Sequence, residues 1–194
     1  MSFTFREEDH SYWLSDRRLD GVTETLGGAG MIDSRFFTEE ARTRGQHVHR
    51  ATEYIDKGSL DWTALDPVLV PYCEAYRKFI EDTRPEIILS EKASYHPQHL
   101  YAGRLDRILK IRDKLAIVDF STGDPLPAKY VQVAAYWQLA LINEKISAPC
   151  GHTLWLRNDA TYRLSPPIGV TEMRRNFNIF LAALAICRWK KEAA

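Results

Sequence analysis

The chain reads as an α/β protein, a central mixed β-sheet flanked by helices. Three observations predict it. Apolar residues recur at helical spacing through residues 34–85. The period then shortens, and Glu86–Tyr95, Leu100–Ile111 and Leu115–Phe120 read as three strands. Beyond them a helix, two further strands and a last helix complete the order helices, three strands, helix, two strands, helix. The 194 residues are enough for one domain with a substantial core, so residues 1–194 are expected to form a single domain.

Taken in order, Phe3-Thr-Phe-Arg6 and His10-Ser-Tyr-Trp-Leu14 alternate weakly and suggest a hairpin within an N-terminal extension over 1–30. Gly27-Gly28-Ala-Gly30 breaks the chain. Ser34 is the expected N-cap of a helix running through Phe36, Ala41, Val48, Ala51 and Ile55 to Gly58. Gly45 within it signals either a close approach or a break. A second helix follows Pro67, with Val70, Tyr72, Ala75, Phe79 and Ile80 on one side, and ends near Pro85. Asp113-Lys114 is the expected turn joining the second and third strands as an antiparallel hairpin. Pro125 and Pro127 precede a helix from about Lys129 to Asn143. Thr153–Arg157 and Thr161–Leu164 form a hairpin around Asn158-Asp159, and Thr171 is expected to cap a final helix to about Lys191.

Composition narrows the function. Twenty-six basic residues balance twenty-six acidic ones. Any polyanion must therefore be met by a local patch rather than by the overall field. Cys73, Cys150 and Cys187 show no C-x-x-C spacing, which fits buried free thiols in a reducing compartment. No leader and no apolar run of membrane-spanning length is read, so a cytoplasmic protein with no membrane partner is expected.

The chemistry concentrates in two stretches, Tyr101-Ala-Gly-Arg-Leu-Asp106 and Ile117-Val-Asp119-Phe-Ser-Thr-Gly123. Two carboxylates on neighbouring strands offer hard oxygen ligands suited to Mg²⁺ or Mn²⁺. That is the layout of a metal-dependent phosphodiester hydrolase. His49 and Glu53, four apart, share a helix face. Glu91 lies on the first core strand. A helix bearing His49 across strands bearing Asp106 and Asp119 would surround a metal that polarises phosphate and activates water. Read alone, Asp106 could simply pair with Arg104 or Arg107, and Gln132 and Tyr136 could be a helix hydrogen bond and a core aromatic. Asp119 in an apolar strand is harder to dismiss, because an unpaired buried carboxylate is costly. Arg35, Arg42, Arg44 and Arg50, with His47, cluster on and around the His49 helix, and Arg104 and Arg107 flank Asp106. This is the best basic patch for DNA, with Tyr12 and Trp13 available to stack on a base.

Gly45-x-x-x-His49-x-x-x-Glu53, Ala102-Gly103-x-x-Asp106, Ile117-Val-Asp119-Phe-x-Thr-Gly123 and Gln132-x-x-x-Tyr136, in this order, resemble the motifs of PD-(D/E)XK nucleases. The nearest group is the RecB-like exonucleases, including phage proteins; His10-x-Tyr12-x-Leu14, Thr23-Glu-x-Leu26 and Gly30-Met-Ile-Asp33 also look like it. The resemblance implies a restriction-endonuclease-like core and a Mg²⁺- or Mn²⁺-dependent DNA exonuclease in phage recombination or DNA processing. It implies His49, Asp106, Asp119 and the Phe120 carbonyl as metal ligands, and Glu53 and Glu91 as supporting acids. Gln132 and Tyr136 would line the DNA groove or brace the metal. Arg42, Arg44, Arg50 and Arg104 would meet DNA. The implied partners are linear or single-stranded DNA ends and a recombination protein, with an oligomer left open and, for a phage protein, the host cytoplasm as its compartment.

One position departs from the pattern. The family's catalytic lysine stands two residues after the second acid, and here that residue is Ser121. A hydroxyl carries no positive charge, so this form is expected to be inactive or severely slowed. Ser121 fits an engineered inactive variant, a natural nuclease-fold module that binds DNA or a partner without cutting, or an enzyme whose lysine comes from elsewhere. Lys114, seven residues away along a strand, would be about 23 Å distant. Lys129, opening the next helix, is the better substitute.

Overall fold

The computed structural model describes residues 2–32, 38–123 and 125–193. Its strands are β1 (Phe3–Arg6), β2 (Ser11–Leu14), β3 (Arg17–Gly21), β4 (Glu86–Tyr95), β5 (Tyr101–Ile111), β6 (Lys114–Ser121), β7 (Cys150–Leu156), β8 (Tyr162–Leu164) and β9 (Ile168–Gly169). Its helices are α1 (Val22–Gly28), α2 (Glu39–Asp56), α3 (Val70–Thr83), α4 (Ala128–Leu139) and α5 (Val170–Glu192), with a π-helical turn over Ala140–Glu144 closing α4. The architecture is a mixed sheet flanked by helices, in the order β1-β2-β3-β5-β6-β7-β8, with β4 also on β5 and β9 also on β7. Pairings are antiparallel except β3 with β5 and β6 with β7.

Several elements differ from the sequence reading. The N-terminal hairpin continues into β3 and α1, and β3 joins β5 through only two residue pairs, Asp20 with Tyr101 and Gly21 with Ala102. The expected cap Ser34, together with Arg35 and Phe36, lies outside the described residues; among those described, Thr38 caps α2, accepting from the Ala41 N–H. Helix α2 runs unbroken through Gly45, where an added Cβ would meet Thr122 Oγ1 at an ordinary 3.8 Å. The β5–β6 turn is Arg112-Asp113 rather than Asp113-Lys114, and both residues have positive φ (47° and 64°). That left-handed pair matches the twist of the strands it joins. Helix α5 is capped by Gly169 and begins at Val170, one residue before the expected cap Thr171.

Two apolar layers sandwich the sheet. Helices α1, α4 and α5 cover one face, packing Val22, Leu26, Val133, Phe180 and Leu184 on Tyr101, Leu105 and Ile117. Helices α2 and α3 cover the other, packing Val48, Ala51, Tyr76 and Phe79 on Leu109, Val118 and Phe120. No helix among the described residues is long and apolar enough to cross a membrane.

Candidate metal centre

The site forms where β5 parts from its neighbours. Its ladder with β6 ends at the pair Arg107 and Val118, so Asp106 and Asp119 are the first residues beyond the paired stretch. In place of the next rung, the Asp106 carboxylate accepts from the Phe120 N–H at 2.6 Å. On the other side, the β4–β5 ladder pairs Ser90 with Arg107 and Lys92 with Leu105 but skips Glu91 and Asp106 between them. Glu91 there adopts the left-handed region (φ 49°), a conformation costing a non-glycine residue about 1–3 kcal/mol. This local break turns both carboxylates toward α2.

On α2, His49 Nδ1 lies 3.2 Å from Asp106 Oδ1 and 3.6 Å from Glu91 Oε1. Ligand atoms of His49, Glu91 and Asp106 all lie within 4.8 Å of one another. Burial alone would keep the imidazole neutral, but the Asp106 carboxylate, then Glu91, push His49 up to about 10. Asp106, though buried, is held below the usual carboxylate range by His49 and the Phe120 N–H. The set fits a hard divalent cation, with oxygen donors and one imidazole at one point.

Asp119 is not in that trio. On β6, Val118 and Phe120 face the α2–α3 layer, and Asp119, 1% exposed, meets α4 instead. Lys129 Nζ, at the first turn of α4, donates to Asp119 Oδ2 at 3.0 Å and to the Phe120 carbonyl at 3.4 Å. Burial, and the nearby Asp106 charge, push the Asp119 carboxyl up to about 6 against the pull of Lys129. Ser121, also buried, ends β6 seven residues from Lys114 at its start.

The other expected site residues are distributed as follows. Glu53 pairs with Lys57 at 2.7 Å and lies 3.8 Å from Arg104. Gln132 is buried and donates to the Tyr136 hydroxyl at 3.2 Å. Tyr136 is 5% exposed, and its ring packs onto Gly103. A Cβ at residue 103 would fall 2.6 Å from Tyr136 Cε1, so glycine is a steric requirement of that packing. Arg104 is engaged by Glu91 at 2.9 Å and by Glu7 at 3.6 Å. Arg42 pairs with Glu39 at 2.8 Å, Arg44 lies over the Tyr72 ring, and Arg50 reaches Tyr54 Oη at 3.4 Å. Arg107, expected to flank Asp106 at the DNA surface, is instead fully buried.

No family model and no curated protein matches the chain. Among solved structures, LHK-Exo in complex with dAMP is similar over 90% of this chain and 93% of its own, at 14% identity and a TM-score of 0.43. The alkaline exonuclease LHK-Exo from Laribacter hongkongensis is similar over 89% and 92%, at 13% identity and a TM-score of 0.42.

Proposed function

We propose that the chain is a metal-dependent nuclease acting on DNA, with Lys129 in the role that the motif pattern assigns to residue 121. One observation carries this reading: the Lys129 ammonium lies 3.0 Å from Asp119 Oδ2 and 3.4 Å from the Phe120 carbonyl. A cation is thus delivered beside the second acid from α4 rather than from β6. On this reading the chain is an enzyme with a relocated lysine rather than the inactive form that Ser121 suggests. The resemblance to phage exonucleases extends the reading to attack on linear DNA ends.

His49, Glu91 and Asp106, whose ligand atoms already converge, would hold Mg²⁺ or Mn²⁺ together with Asp119 and the Phe120 carbonyl beside them on β6. When bound, the ion would polarise the scissile phosphate and acidify an attacking water. Lys129 would orient that water and offset the negative charge that develops on the phosphate. Asp106 ties β5 to β6 through the Phe120 N–H, fixing the Phe120 carbonyl on the same peptide strand.

The test compares wild type, Lys129→Met and Ser121→Lys on end-labelled linear DNA with Mg²⁺, with Mn²⁺ and with EDTA. Wild type should degrade the DNA, EDTA should stop it, and Lys129→Met should lose a factor of about 10²–10³ in rate. Cutting by Ser121→Lys alone would mean that wild type is a disabled form. Retention of DNA with no cutting by any of the three would favour a binding module.

A further inference from the structure

We infer that Arg107 is a positioning residue: its buried guanidinium, anchored on Asp56, aims Glu91 at His49 and sets the geometry of the acid cluster. The inference rests on the metal-site reading above. Arg107 is 0% exposed, so it cannot touch a nucleic acid, although its place beside Asp106 in the sequence suggests a DNA contact.

Its hydrogen bonds run inward. Nε donates to Asp56 Oδ2 at 2.6 Å, and one terminal nitrogen donates to Glu91 Oε1 and to the Asp106 carbonyl, each at 2.7 Å. The other terminal nitrogen reaches Thr52 Oγ1 at 3.2 Å. Asp56 is held in turn by the Tyr76 hydroxyl, 2.6 Å from its other oxygen. One planar fork therefore joins α2, α3, β4 and β5 at the two residues missing from the β4–β5 ladder. Those residues are Glu91 and Asp106, and between them the backbone supplies no rung. The side chain of Arg107 spans that gap, gripping Glu91 by its carboxylate and Asp106 by its carbonyl.

The bland account is a buried ion pair that only holds the fold. Such pairs add little net stability over apolar residues of the same volume. What this one adds is direction, because a guanidinium binds in a fixed plane. The oxygen it orders, Glu91 Oε1, is the atom facing His49 at 3.6 Å.

Calorimetric titration of the full chain with Mn²⁺ separates the two accounts, using wild type, Arg107→Met and the nearly isosteric Asp56→Asn. Loss of a group that orients metal ligands typically weakens metal affinity by about 10–100-fold, and Arg107→Met should fall in that range. Asp56→Asn, which loosens the guanidinium without removing it, should shift affinity the same way by less. On DNA, kcat should fall while KM stays within about twofold, as for a group that makes no substrate contact. A folded Arg107→Met that binds Mn²⁺ as wild type does would overturn the inference, as would a raised KM at unchanged kcat. If Arg107→Met does not fold, Asp56→Asn decides, and unchanged affinity there is equally fatal. A wild type that binds no Mn²⁺ sinks the metal-site reading itself, whereas binding wild type with unaffected variants sinks only the role of Arg107.

Discussion

Replacing Lys129 with methionine removes the ammonium 3.0 Å from the buried Asp119 carboxylate, and its effect on stability can be worked out. Asp119, pushed to about 6, is a carboxyl whose pKa is raised on folding from an ordinary 3.8. The native state therefore binds more protons than the unfolded chain between those values, and stability falls as pH rises through that window. Below about pH 6 both proteins carry a protonated Asp119, and the lysine matters little. Above it, wild type keeps a charged pair, while the variant must hold the proton or bury a lone charge. At pH 7, above the wild-type value, holding the proton costs on the order of 1 kcal/mol. For a chain of this size that is a fall in Tm of a few degrees, growing with further rise in pH. Thermal melts in EDTA from about pH 5 to 9 would test it. The two curves should nearly coincide at the acid end and diverge above neutrality. Parallel curves, or a full-sized gap already at pH 5, would refute this account of the pair.

Two further predictions follow from the same geometry. His49, carried to about 10 by Asp106 and Glu91, is protonated near neutrality, and its pairing stabilises the fold fully below pH 6.5 and fades as pH rises toward 10. Mn²⁺ can reach its nitrogen only by expelling that proton, so binding heats in phosphate and in Tris should differ by roughly one buffer protonation; equal heats would remove His49 from the ligand set. Gly103→Ala drives a Cβ to within 2.6 Å of Tyr136 and 3.0 Å of Val22, and should cost about 1–3 kcal/mol in urea unfolding. A neutral result there would show that Tyr136 can move aside.

Much of the architecture was legible because long strands and amphipathic helices announce themselves by period. Glu86–Tyr95 and the β5–β6 hairpin have that clarity. The strand Arg17–Gly21 does not, being short and joined to β5 by two residue pairs that no local pattern encodes. At the site, the types and spacing of His49, Asp106 and Asp119 marked them as candidates. Their division was hidden, since strand alternation sends Asp119 toward α4 and only the ladder gap turns Glu91 toward His49. Arg107 reads as a surface cation from its neighbours and proves buried because α2 and α3 close over it. The packing of Tyr136 was not legible, because the space its ring fills is the one that Gly103, 33 residues earlier, leaves. Lys129 was identifiable only as the nearest lysine able to return to the strand's end.

The left-handed backbone at Glu91 and the charges around it pull stability and activity apart. Glycine relaxes a positive φ, and apolar residues often match or exceed a buried ion network in stability by about 1–4 kcal/mol. A coordinated exchange of Glu91, Arg107, Asp56 and Tyr76 for glycine and hydrophobic residues would thus tend toward a firmer sheet with no acid cluster. Selection for heat resistance alone would erode this corner of the molecule first, while selection for chemistry would keep it strained.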